Sequence, residues 1–262
     1  MRLCRFRQTN MSIRERQACR LRSAGSRRSA FLLRLPFLVF CSSSVSYNPD
    51  EFMPRVRVHQ HVNPLAPFYR RSPTPIVPDD IFAEPARPLH LDIGCARGRF
   101  ILRMAEAIPD WNFLGVEIRH QLVDEANRIG GEKGLRNLHY SFCNALLWID
   151  RLVEKIPDGR LHAVTIQFPD PWFKKKHAKR RMVTPEMVEA ITGKLAPGGT
   201  IFVQTDIEFL AEEMFDLFRQ RKELQEVAIE ENPFPIKTER EKAVEEKSLP
   251  VYRRVFSKAS SS

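Results

Sequence analysis

The chain has 262 residues, enough for one α/β domain with appendages, and a formal net charge of +10 from 42 Lys+Arg against 32 Asp+Glu. Residues 1–49 hold ten of those arginines, no lysine and one acid, Glu15, which leaves 32 basic and 31 acidic residues beyond them. That near-neutral body excludes overall basicity as grounds for a nucleic-acid role, so only local clusters of charge bear on it.

From the N-terminus, residues 1–53 are rich in Arg and Ser and lack a sustained helical or strand period, which predicts a transit peptide or disordered leader. The serines continuing through Ser42, Ser43, Ser44 and Ser46 favour an organellar address over a secretory one. The apolar run Phe31–Phe40 is too short to span a bilayer and is broken by Arg34 and Pro36, so no membrane partner is expected. Three of the five cysteines fall in this leader, and Cys95 and Cys143 have no Cys-x-x-Cys spacing. Neither a disulfide framework nor a zinc site follows, and both cysteines read as small buried hydrophobes. His59 and His61 lack a third ligand nearby, so no metal is expected.

Residues 54–88, with prolines from Pro64 to Pro88, read as an extended arm leading into the domain at 89–258, with a disordered tail at 259–262. Strand-length apolar runs then alternate with helical periods. Strands are expected at Leu89–Gly94, Trp111–Ile118, Leu138–Cys143 and Leu161–Phe168, and helices at Arg99–Ile108, Gln121–Gly131 and Ala145–Ile156. Thr184-Pro185-Glu186 supplies an N-cap, a proline at the first helical position and an acid in the first turn. Pro197-Gly198-Gly199 turns into a strand over Thr200–Thr205, followed by an amphipathic helix over Glu208–Arg221. Pro250–Phe256 alternates like a strand and is expected to close the sheet edge. This rhythm with short turns predicts an α/β fold, a doubly wound and mostly parallel sheet of Rossmann-like type.

The first strand-to-helix turn, Asp92-Ile-Gly94-Cys-Ala96-Arg-Gly98, has glycines that let a ligand approach the backbone at a helix N-terminus. Glu117 follows about twenty residues later, as a ribose-binding acid would. Asp92 would repel a pyrophosphate but suits an amine, which favours S-adenosylmethionine over a dinucleotide. Asn144, ending the third strand, is placed to bond an adenine edge or to cap the next helix.

Downstream, Phe168-Pro169-Asp170-Pro171-Trp172 sets a carboxylate between two prolines at a strand tip, beside an indole. The basic run Lys174–Arg181 follows directly. Together they suit a planar base within a polyanion, whereas on its own such a run reads as a solvated loop. Asp206 sits where the fifth strand ends, as a ligand group or as a helix cap.

Asp92–Gly98, Gly115-Val-Glu-Ile118, Phe168–Trp172 with Lys174, Gln204-Thr-Asp206 and Thr238-Glu-Arg-Glu241 resemble the tRNA (guanine-N7-)-methyltransferases. The likeness runs from about Pro54 to Phe256, and Arg55–Pro64 looks like the start of mature cyanobacterial and plastid-type members, which favours chloroplast over mitochondrion. It implies a class I methyltransferase fold, S-adenosylmethionine as donor, and methylation of a variable-loop guanosine in tRNA; apart from the resemblance, a monomer is expected, with a partner subunit left open. Carried over by position, Asp92, Gly94, Glu117, Asn144 and Asp170 would bind the donor, with Asp170 as the catalytic acid. Lys174, Asp206, Thr238 and Glu241 would contact substrate. Asn144 stands where the family has an acid, and Ala96 where a glycine is common. The rival expectations are a class I enzyme acting on another amine acceptor and a non-catalytic RNA-binding subunit of this fold.

Overall fold

A computed structural model describes residues 58–59 and 62–260, so the leader and His61 lie outside the described residues. Seven strands form one sheet: β1 (Leu89–Ile93), β2 (Asn112–Glu117), β3 (Leu138–Phe142), β4 (Leu161–Gln167), β5 (Leu195–Thr205), β6 (Leu224–Ala228) and β7 (Tyr252–Lys258). Their spatial order is β3-β2-β1-β4-β5-β7-β6. β1 to β5 are parallel, and β7 runs antiparallel to both β5 and β6. The helices α1 (Arg99–Ala107), α2 (His120–Glu132), α3 (Ala145–Val153), α4 (Pro185–Lys194), α5 (Glu208–Arg219) and α6 (Glu239–Glu245) connect them.

The inner parallel strands are largely buried because they are covered on both faces, whereas β3, at the edge, is only partly buried. All of β1 and β2 is buried, and Leu91, Val164, Ile166, Val203 and Phe215 are inaccessible or nearly so. Burying each such side chain contributes about 1.5–3 kcal/mol. Thr184 caps α4 as its sequence predicts, its hydroxyl accepting from Met187 N at 3.2 Å. Cys95 and Cys143 are buried free thiols. Among the described residues no helix is long and apolar enough to cross a membrane, and no group of His, Cys, Asp and Glu could hold a metal ion.

One expectation needs correction, and two elements are not among those expected. Pro250–Phe256 does form a strand, but β7 lies inside the sheet and β6 forms the edge. Leu224–Ala228 has no apolar period because an edge strand is only partly covered: Leu224 packs against the core, but no residue in the strand is fully buried. The short helix α6 is likewise absent from the expected elements, although Thr238 caps it by accepting from Glu241 N at 3.1 Å.

Strand order reverses between β1 and β4: β2 and β3 lie to one side of β1, and β5 lies on the far side of β4. Beyond the carboxyl ends of strands at such a switch point a crevice opens, and ligands bind there. Its floor is stiffened by one ring. Tyr140 on β3 is buried beneath Gly98 and Gly115 and donates its hydroxyl to the Gly98 carbonyl at 2.8 Å. A Cβ at Gly98 would lie 2.3 Å from that ring, and one at Gly115 2.5 Å, so neither position accepts a side chain.

Candidate active site

At the end of β1 the backbone alternates its hand: Gly94, Ala96 and Gly98 have φ of 81°, 52° and 69°. The turn is pinned by Gly94 N and Cys95 N, which both donate to Val116 O, at 2.8 and 3.0 Å. Ala96 therefore occupies a left-handed position that glycine adopts without strain, and its N–H donates to Glu117 Oε2 at 2.9 Å. Glu117 Oε2 also accepts from Arg119 Nη2 at 3.0 Å, while Oε1 accepts from the backbone N and the Nε of Arg119 at 3.0 and 2.8 Å. These four bonds fill the acceptor sites of the carboxylate. A ribose hydroxyl can reach Glu117 only as the Arg119 side chain yields a bond.

Asp92 sits deeper, 4% exposed. Thr165 Oγ1 donates to its Oδ1 at 2.6 Å, and His90 Nε2 lies 3.1 Å from the same hydroxyl. The hydroxyl has one proton and gives it to Asp92, so His90 donates from Nε2 and leaves its buried Nδ1 bare. Burial pushes His90 down to about 3, which keeps it neutral. Burial also pushes the Asp92 carboxyl up to about 7, against the Thr165 hydrogen bond and the nearby Gln167 amide, which favour its ionised form; the Glu117 charge adds to the rise.

At the end of β4, Phe168 N donates to Gln204 O at 2.8 Å. Phe168 and Trp172 take φ of 51° and 44°, left-handed geometry in bulky residues on either side of Pro169-Asp170-Pro171. Such geometry costs about 1–3 kcal/mol per residue and persists only where its surroundings hold it. Here the guanidinium of Arg180 lies 4.9 Å over the Trp172 ring, His177 meets that ring edge-on at 5.7 Å, and Arg181 Nε donates to Pro171 O at 3.1 Å. Arg181 is in turn paired with Glu213 on α5. Asp170 is thus presented on a braced turn.

Glu117, Asn144, Asp170 and Asp206 share the wall of one cavity of about 670 Å³, with Trp172 and Phe173 at its side. A second, of about 940 Å³, holds Asp92 and Thr238 and shares Gly94, Ala96, Arg119, Gln167 and Arg240 with the first. The two make one cleft across the ends of β1, β2 and β4.

Residues 86–254 match the family described as "Putative methyltransferase". The tRNA (guanine-N(7)-)-methyltransferase of Trichormus variabilis is 50% identical over 212 residues, 79% of this chain and 99% of that protein. That of Synechococcus elongatus is 51% identical over 207 residues, 78% of this chain and 97% of that protein. The chain belongs to the tRNA (guanine-N(7)-)-methyltransferase family. A solved aminoglycoside resistance methyltransferase is 18% identical, with a TM-score of 0.48, covering 70% of this chain and 90% of that one.

For a member of this family the donor is S-adenosylmethionine, and the cleft suits it. The acid Asp92 and the buried, unpartnered Nε2 of Gln167 complement an amino-acid end, and Glu117 together with the left-handed turn suits a ribose. Asn144 stands at the N-cap position of α3 but makes no capping bond. Its Nδ2 donates instead to Pro64 O and Tyr69 O, at 2.8 and 3.1 Å, and so fastens the arm to the cavity rim. Asp206 does not cap α5, whose N-cap is Ile207, and pairs with Arg240.

Three residues expected at the substrate divide. Thr238 reaches the cleft, but Glu241 does not. Glu241 is fully buried, accepting from Arg253 Nη2 at 3.0 Å, Gln204 Nε2 at 3.0 Å and Asn232 Nδ2 at 2.7 Å. Lys174 is exposed at the start of the 3₁₀ turn Lys175–Arg180 and is not on the cavity wall. The basic run is also less uniform than its sequence suggests. Lys174, Lys175, Lys176 and Lys179 face solvent, whereas Arg180 and Arg181 brace the Trp172 turn. Sequence reasoning missed Arg119 and Gln167; the signal for Arg119 was its position two residues after the strand-end acid.

Proposed function

We propose that this chain methylates N7 of a variable-loop guanosine in tRNA, with Asp170 as the carboxylate that stabilises the positive charge developing on the purine. The observation that carries the reading is the braced Pro-Asp-Pro turn, which shares a cavity with Glu117. S-adenosylmethionine, when bound, supplies an electrophilic methyl group on a sulfonium. Guanine N7 has a free lone pair, so the protein needs no general base, and His177, beside the Asp170 turn, packs against Trp172. What remains for the residues is alignment, for which preorganisation contributes roughly 7–11 kcal/mol. Asp170 adds electrostatic stabilisation as positive charge develops on the purine, about 3 kcal/mol if oxyanion-hole magnitudes hold with the sign reversed.

Asp92, Gly94, Glu117 and Asn144 bind the donor in this reading, and Asp206 and Thr238 face the acceptor. The exposed lysines from Lys174 to Lys179 attract the phosphates of tRNA. Retention of Asp92, Glu117 and Asp170 on one cleft supports catalysis over a purely RNA-binding role. The Arg- and Ser-rich leader, together with 50% identity to a cyanobacterial enzyme over 212 residues, supports a chloroplast destination; in this reading the chain acts as a monomer. The N7 assignment is tested with a tRNA carrying 7-deazaguanosine at the variable-loop position. Binding should persist while methyl incorporation disappears; undiminished incorporation would place the reaction on another atom.

A further inference from the structure

Gln167 ends β4 and faces both halves of the cleft, yet neither charge transfer nor base binding needs it. The orientation of its carboxamide is dictated from a distance. Arg253, on β7, has only donors, and its Nε donates to Gln204 Oε1 at 3.0 Å. Gln204 must therefore present Nε2 on its other side, where it donates to Glu241 Oε2 at 3.0 Å and to Gln167 Oε1 at 2.8 Å. That uses both of its amide protons. Gln167 Oε1 is committed as an acceptor, so its Nε2 is turned away from Gln204. This nitrogen is buried and makes no full hydrogen bond, although it lies close enough to Asp92 to favour the ionised carboxylate.

A neutral donor without a partner thus stands beside an anionic acceptor at the junction of the two cavities. A zwitterionic amino-acid end satisfies both at once: its ammonium goes to Asp92 and its carboxylate to the amide. We propose that Gln167 Nε2 binds the α-carboxylate of the donor's methionyl group, with Arg253, Gln204 and Glu241 as the positioning residues that fix its orientation. Glu241, expected at the substrate, then acts on the donor side and only through Gln204.

The inference rests on the methyltransferase reading, and binding to the full chain by calorimetry separates the two. S-adenosylhomocysteine carries the amino-acid end, and methylthioadenosine lacks it. Gln167→Leu should weaken S-adenosylhomocysteine about tenfold and leave methylthioadenosine within twofold of wild type. Equal weakening of both would overturn the proposal in favour of a merely structural role, and no weakening of either would overturn it as well. Wild type alone gives a second test that no folding defect can confuse. It should bind S-adenosylhomocysteine about tenfold more tightly than its decarboxylated analogue, and equal affinities would overturn the carboxylate contact. A wild-type chain that binds neither S-adenosylhomocysteine nor methylthioadenosine would instead overturn the donor reading itself.

Discussion

Lowering the pH from 8 to 6 should weaken donor binding about tenfold, through Asp92. Burial raises this carboxyl to about 7 from its ordinary 3.8, and the neighbouring Glu117 charge works in the same direction. The groups facing it are Thr165, Gln167 and, through Thr165, a neutral His90. Donor binding places an ammonium beside Asp92 and selects its ionised form. With a pKa near 7, about one molecule in eleven is ionised at pH 6 and about ten in eleven at pH 8, which gives the tenfold ratio, or about 1.4 kcal/mol. Calorimetry in two buffers of different ionisation enthalpy should show about half a proton released per donor bound at pH 7. Methylthioadenosine, which has no ammonium, should show neither effect. The same shift bears on stability with a definite sign. As pH rises from 3.8 to 7 the unfolded carboxylate ionises first, so the folded state is progressively disfavoured, by about 4 kcal/mol at most above pH 7. Asp92→Asn should accordingly stabilise the free protein at pH 8, have no effect below pH 4, and lose the pH dependence of donor binding. A donor affinity flat from pH 6 to 8, with no proton release, would refute the reasoning.

Ala96→Gly should stabilise the chain by about 0.5–1 kcal/mol in chemical denaturation, because relief of the left-handed strain exceeds the added freedom of the unfolded chain. Glu241→Ala should lower stability by about 3 kcal/mol, since it strips a carboxylate from the buried Arg253 guanidinium; an unchanged melting temperature with lost tRNA binding would return Glu241 to the substrate. Replacing Lys174, Lys175, Lys176 and Lys179 together by alanine should flatten the dependence of log tRNA affinity on log salt by up to about 3, without altering donor affinity.

The sequence carries the parallel half of the sheet plainly, because strands buried on both faces must be continuous apolar runs and the turns between them carry local glycine, proline and capping signals. β1, its Gly94–Gly98 turn and the Thr184 cap all lie where that local logic puts them. β6 leaves no such trace, since it is held to β7 mainly by backbone pairing, with only Leu224 and Val227 partly buried. The cleft is legible where a role follows from position along one strand, as for Glu117 and Asp170. It is not legible where a role depends on distant partners. Gln167 is oriented by Gln204, 37 positions away, and Gln204 by Arg253, a further 49 away. Glu241 shows the same limit from the other side: a carboxylate in a charged segment reads as surface until the guanidinium that buries it is located. Within Lys174–Arg181, the division between exposed lysines and inward arginines depends on where the Trp172 ring comes to lie.

The most direct measurement is single-turnover methyl transfer from labelled S-adenosylmethionine to unmodified tRNA, with chain cleavage at N7-methylguanosine to map the product. Wild type should give one cut, in the variable loop. Asp170→Ala should slow that cut on the order of a hundredfold while donor and tRNA affinities stay within a few-fold of wild type. Transfer at full rate in Asp170→Ala, or label at an atom other than guanine N7, would contradict the account.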